Sequence, residues 1–415
     1  MLSIRRVLVK GLVIAALVLA GPAAAQDGTT RWSTSWASAQ MLAEGDNALP
    51  ADAGPVTLRQ IVRLSAGGPR VRVRVSNRFG DAPLEISAAH IGRAVAPGQS
   101  TLQPGSGAGL TFSGEPAVTV PAGADYVSDP VDLPVDPGTD LAVSLHLPAM
   151  PSRQTGHPGA RATTFVARGD QATAATLDQP AAVTRWYLLA AIDIEATAPA
   201  VIALFGDSIT DGYGVVPDTN QRWSDRLAQR LRATAGLENA AVINLGIGGN
   251  RILRDGLGPN AAARFDRDIL NQAGVTHVVI LEGVNDLGVL TRDAPATPAA
   301  HAALVRDLTA AYAQMVARAR ERGIVAIGAT IMPFAGSPYY HPGSETEADR
   351  QAVNAWIRTP GNFDAVIDFD AITRDPARPD HLSAAFDGGD GLHPSMAGYT
   401  MMADAVPLDL FRARP

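Results

Sequence analysis

The chain contains no cysteine among its 415 residues. That excludes disulfide bonds, thiolate metal sites and a cysteine nucleophile at once. A basic excess is missing too: the formal net charge is -7, and the three basic residues Arg5, Arg6 and Lys10 sit in a first stretch of 25 without an acid, so the remainder is more acidic still. Such a balance argues against nucleic acid or an anionic membrane surface as partner. The longest N-terminal apolar run, Leu12 to Ala20, is too short to span a bilayer comfortably. Internal repeats and low-complexity tracts are absent as well. Charged residues make up only 18% and hydrophobic ones 46%, which describes a globular chain rather than a disordered one.

What is present begins with an export pattern. Arg5, Arg6 and Lys10 precede the apolar run, and Ala23-Ala24-Ala25 offers a small-residue cleavage site before Gln26. Residues 1–25 are therefore expected to be a signal peptide, of the general secretory or the twin-arginine kind, leaving a periplasmic or extracellular protein without a stable membrane anchor.

The length favours two domains. From Gln26 to about Thr197 short β-like runs alternate with turn-formers: Leu58 to Leu64, Val71 to Val75, Leu84 to Ile91, Ala117 to Val120, Asp140 to Leu147 and Trp186 to Ile194. Residues 26–197 are expected to form an all-β sandwich, jelly-roll-like, with Val71-Arg-Val-Arg-Val75 as a strand with one wet face. Trp32, Trp36, Trp186 and Tyr187 are read as sandwich core in preference to a sugar-stacking face. After a junction at Glu195 to Pro199 the pattern changes. Strands at Val201 to Phe205, Ala241 to Leu245, Val275 to Leu281, Ile324 to Ile331 and Ala365 to Phe369 alternate with helices at Trp223 to Ala235, Pro298 to Arg322 and Pro394 to Ala405. That order predicts a parallel sheet wrapped by helices, a three-layer α/β/α domain over residues 198–415.

The chemistry-bearing residues fall at the ends of those strands. Val201 to Phe205 runs into Gly206-Asp207-Ser208, placing a serine where open α/β sheets hold their ligands. The next strand ends in Asn244-Leu-Gly-Ile-Gly248-Gly249-Asn250-Arg251, glycines that let backbone N–H groups face outward. The third ends in Glu282-Gly-Val-Asn285-Asp286, with Asn285 aimed at the crevice and Asp286 read as satisfying turn donors. Asp390-Gly-Leu-His393-Pro394 pairs a carboxylate with an imidazole on the turn into the last helix. Neither G-x-x-x-x-G-K-[ST] nor G-x-G-x-x-G occurs in its proper context, so a phosphate cradle is not indicated. No His/Cys cluster has metal-ligand spacing, and no cofactor or metal is expected. His277 reads as a core or edge histidine, His341 and His381 as solvated surface groups. The loop Ala335 to Gly343 is open to two readings, pocket wall or plain surface loop.

Together the four stretches resemble the four blocks of the SGNH (GDSL) hydrolase superfamily, across the C-terminal half of the chain. The resemblance implies Ser208 as nucleophile, His393 as base and Asp390 as its orienting carboxylate. It implies an oxyanion hole from the Ser208 and Gly249 backbone N–H groups and the Asn285 side chain, Gly249 being preferred to Gly248 because it stands five after Asn244. The β-rich N-terminal part followed by such a half is similar, more loosely, to secreted bacterial carbohydrate esterases. The expected function is therefore an exported serine esterase removing short acyl groups, acetyl foremost, from a small-molecule or polysaccharide ester. The alternatives are a lipase or lysophospholipase, for which only the Val289-Leu290 and Phe334 regions hint at an apolar surface, and an inactive carbohydrate-binding protein.

Overall fold

In a computed structural model the chain is described over residues 31–50 and 53–412; the expected signal peptide lies outside the described residues. A run of six apolar or small residues, VIALFG, forms the strand around which the C-terminal region is built. This strand, β6 (Val201–Gly206), is buried along its whole length because it has neighbours on both sides and helices on both faces. It pairs in parallel with β7 (Ala241–Gly246) on one side and β8 (His277–Leu281) on the other, and β9 (Val325–Ala329) and β10 (Ala365–Ile367) extend the sheet beyond β8. The chain thus goes from β6 to one edge and then returns past β6 to build the other edge. The reversal puts a crevice at the carboxyl end of β6, the place where such sheets open. One helix group joins α2 (Trp223–Arg232) to α6 (Met396–Ala405); the other joins α3 (Val284–Arg292), α4 (Pro298–Glu321) and α5 (Ser344–Arg358). None of these helices is long and apolar enough to cross a membrane.

The N-terminal region is made of antiparallel strands. One sheet runs β1 (Trp32–Ala37), β5 (Leu189–Glu195), β3 (Gly68–Ser76) and Val131–Val135. A second has β2 (Val56–Arg63) and β4 (Asp140–Leu147) at its centre. Val71, Val73 and Val75 share one apolar core with Leu58, Val62, Val143 and Leu145 of the second sheet. The opposite face of β2 is buried as well, under loops. There Arg59 is fully buried and donates to Ser144 Oγ and to the carbonyls of Ser100, Ala172 and Ala174.

Three expectations are corrected here. Leu84 to Ile91 is two strands, Leu84–Ile86 and Ala88–Arg93, which pair with different partners because the chain turns at Ser87. Trp186 to Ile194 is likewise broken, at Leu188, which takes the left-handed φ of 60°. The outer face of Val71 to Val75 is not simply wet: Arg72 bonds Asp193, and Arg74 reaches Gln272 of the C-terminal region. Trp36, Trp186 and Tyr187 are core residues, as read, whereas Trp32 is only partly buried beneath the Arg72 guanidinium. Periodicity also left helices unread, α3, α5 and the short Ala261–Phe265 among them, and Phe369 opens a short helix instead of ending β10.

The two regions are stitched together along β7. Ser65 Oγ accepts from the Val242 N–H, Asn239 exchanges hydrogen bonds with Gly67, and the Thr34 N–H donates to the Ala273 carbonyl. The described residues fall in one compact unit.

Candidate active site

Past β6 the chain must turn sharply, and Asp207 turns it. Its carboxylate accepts from the Ile209 N–H and caps the one-turn helix α1 (Ser208–Asp211), which Gly212 closes in the left-handed conformation. Ser208 is the first residue of that turn, so its N–H has no acceptor within the helix. The turn fits closely against its neighbours: a Cβ on Gly206 would lie 2.2 Å from Thr210 Oγ1, and one on Gly246 would lie 2.3 Å from the Asp211 nitrogen.

The expected trio comes together. His393 Nε2 lies 2.8 Å from Ser208 Oγ, and His393 Nδ1 lies 2.7 Å from Asp390 Oδ2. A carboxylate can only accept, so Nδ1 carries the proton; in the neutral ring Nε2 is then the acceptor for the Ser208 hydroxyl. The second Asp390 oxygen accepts from the Leu392 and His393 N–H groups, at 3.0 and 2.8 Å. Burial works against ionisation of Asp390, but these bonds and the imidazole hold its carboxyl below the usual carboxylate range. Burial pushes the His393 pKa down, Asp390 opposes that, and the Arg161 charge adds to the lowering. The ring is thereby kept in its proton-accepting form.

Asn285, at the start of α3, is held at both ends. Its Nδ2 donates to the Asn250 carbonyl at 2.7 Å, and the Tyr340 hydroxyl donates to its Oδ1 at 2.6 Å. Burial raises the Tyr340 pKa, which keeps the phenol a donor and fixes which way the amide faces. One N–H of the amide is left for the cleft. Gly248 and Gly249 both line that cleft, Gly249 with φ of 70° and with Leu257 folded back over it. Asp286 accepts from backbone donors, as read, but from those of another loop: the Ile252 and Leu253 N–H groups after β7, at 2.8 and 3.1 Å. The cleft measures about 520 Å³. Ser337 to Tyr340 form one wall, which settles the loop in favour of the pocket.

Beneath the cleft lies a residue that no motif announced. Arg264 is buried and donates to the carbonyls of Gly206 and Leu245, to Asn250 Oδ1, and to Asp268 and Glu282. One guanidinium therefore ties the ends of β6, β7 and β8 to the residue that holds Asn285. Tyr213 was also missed; its ring packs 4.2 Å from the His393 ring. The N-terminal region reaches the site as well. His157 Nε2 bonds Asp211 Oδ1 at 2.9 Å, and Gly159 abuts the same carboxylate, leaving no room for a side chain. His277 is buried at the start of the central strand β8, bonded to Thr276, which is the core alternative of its reading, and His341 is exposed. His381 departs from its reading: it is half-buried and bonded to Asp380.

Residues 204–401 match the GDSL-like lipase/acylhydrolase family. Among solved structures, a GDSL-like lipase from Bacteroides thetaiotaomicron VPI-5482 is 20% identical, with a TM-score of 0.37, over 51% of this chain and 87% of its own. Axe2, an acetylxylan esterase from Geobacillus stearothermophilus, is 20% identical with a TM-score of 0.38, over 51% of this chain and 94% of its own. No curated protein matches the chain.

Proposed function

Because residues 204–401 match the GDSL-like lipase/acylhydrolase family, we propose that the protein is an exported serine esterase with Ser208, His393 and Asp390 as its catalytic residues. The observation that carries the reading is the unbroken chain of short contacts from Ser208 Oγ through His393 to Asp390 at the edge of an open cleft. His393 Nε2 takes the hydroxyl proton as Oγ attacks the ester carbonyl, and Asp390 stabilises the imidazolium. The Ser208 and Gly249 N–H groups and the Asn285 amide receive the oxyanion. His393 then hands its proton to the departing alcohol, leaving an acyl-enzyme. Water, activated by the same imidazole, attacks that ester and releases the acid and Ser208.

The proposed substrate is an acetyl or other short acyl ester on a carbohydrate. Tyr213 and Tyr339, about half exposed at the mouth although Arg161 and Arg292 lie over their rings, put aromatic surface beside the cleft of the kind that sugars contact. Export is supported by Arg5, Arg6, Lys10 and the Ala23 to Ala25 stretch. One observation favours the second reading, a longer acyl or lipid ester: Leu257 is 68% exposed at the rim, and Val289 lines the interior.

An ester panel tests both readings: p-nitrophenyl esters of increasing acyl length, acetylated xylan and a lysophospholipid. The proposal expects a steep fall beyond a few carbons and acetate release from the glycan; faster cleavage of long chains would install the second reading. Ser208→Ala should remove hydrolysis, by roughly 10⁴-fold or more, with the melting temperature unchanged. Near wild-type turnover in that variant would remove Ser208 from the mechanism.

A further inference from the structure

The cleft of this acidic chain is lined by two arginines and one carboxylate. The carboxylate is Asp390, whose oxygens are taken up by His393 and its backbone. Of the arginines, Arg292 is held by Asp293, at 2.9 and 3.0 Å, and by the Tyr339 hydroxyl. Arg251 is different. It forms no ion pair with any described residue, and its guanidinium donates to the backbone carbonyl of Asp255.

The acids whose charge it feels are already engaged. Asp286 is bonded to the Ile252 and Leu253 N–H groups, and Asp255 to the backbone and side chain of Asn260. The loop is also shaped around the group: a Cβ on Gly256 would come within 2.7 Å of Arg251 Nη2. A guanidinium held in place, partly buried and without a carboxylate is an arrangement that recognises one supplied from outside. Arg161, which lies over the Tyr213 ring and likewise forms no ion pair with a described residue, adds to the positive potential.

We infer that Arg251 receives a carboxylate carried by the ester substrate, so that the enzyme prefers esters bearing an acidic group. The inference rests on the esterase reading above and narrows it, for a carbohydrate, to acylated sugars that carry a carboxyl group. Such a group can sit on the alcohol or on the acyl side of the ester, and the test separates the two.

The full chain is assayed at neutral pH on two matched pairs that exchange carboxylate for carboxamide. The pair 4-acetoxybenzoate and 4-acetoxybenzamide probes the alcohol side; ethyl hydrogen succinate and ethyl succinamate probe the acyl side. In at least one pair kcat/KM should favour the carboxylate roughly tenfold, equivalent to about 1.4 kcal/mol, and the preference should shrink as salt is added. Arg251→Gln should bring that ratio close to one, and Arg251→Lys should restore part of it. Inhibition of the wild-type enzyme by benzoate but not by benzamide gives a reading that does not depend on any variant folding. An enzyme that cleaves the carboxamides well but shows no carboxylate preference, or keeps its preference in Arg251→Gln, overturns the inference and leaves the esterase reading standing. An enzyme that cleaves none of the four esters overturns both.

Discussion

Both regions bury arginines completely, and they satisfy them in different ways. In the N-terminal region Arg59 is surrounded by backbone carbonyls and a hydroxyl, with no carboxylate on it, and burial pulls its pKa down to about 10. In the C-terminal region Arg264 and Arg350 each bond two carboxylates, Asp268 and Glu282 for one, Glu347 and Asp370 for the other. The first arrangement pins loops over a sheet. The second holds strand ends and helices in register beneath a reaction site. Removing a residue from one region should therefore be felt as stability, and from the other as rate, except where the regions meet.

The sharpest separation should come from the oxyanion side. Asn285→Ala should lower kcat roughly 10²–10³-fold with little change in KM, since in the proposed mechanism its amide acts on charge that develops in the transition state. A raised KM at unchanged kcat would make it a ground-state binding group instead. On the other side of the comparison, Arg59→Met should lower unfolding stability by about 3 kcal/mol, because several carbonyls lose their donor inside the protein. Urea midpoints report this, while kcat/KM at room temperature should stay as it was.

The third prediction is built to break the division. His157 belongs to the N-terminal region, yet it bonds Asp211 on the nucleophile turn. His157→Gln should reduce kcat about tenfold through a small displacement of Ser208, together with a lower melting temperature. If only the melting temperature falls, the N-terminal region is scaffold alone. The smallest effect is one of pH. Because burial lowers the His393 pKa, its neutral form persists below the ordinary histidine midpoint. The rising limb of kcat/KM against pH should therefore lie below about 6.5, and a limb above that value would contradict the geometry.

The parts of the site that could be read from sequence are those whose partners are close in the chain or fall at strand ends. Gly206 to Ser208, Asn244 to Gly249, Gly283 to Asp286 and Asp390 to His393 are short strings, each with its own turn chemistry. Arg264 gave no such sign, and Tyr340 and Arg251 stood inside marked stretches, the loop Ala335 to Gly343 and the run Asn244 to Arg251, with no role of their own. Arg264 stands in an alanine-rich helix and meets Gly206 across 58 positions, and Tyr340 meets Asn285 across 55. Such contacts exist only after the sheet has closed. The fold divides in the same way. Alternation marked strands of the N-terminal region and short continuous apolar runs those of the parallel sheet, but the breaks at Ser87 and Leu188 depend on long-range pairing that no local pattern contains.

Strand β7 lies at the border of the parallel sheet, and its outward backbone is not bare: the Val242 N–H is taken by Ser65, and β1 packs beside it. An uncovered border of this kind, built from AVINLG, is a template onto which a second chain can add its own strand. Besides contacting the turn that carries Ser208, the N-terminal region covers this border. A C-terminal half produced alone, with every catalytic residue intact, should accumulate as aggregates, and light scattering on such a fragment would show whether Ser65 and its neighbours keep the protein in solution.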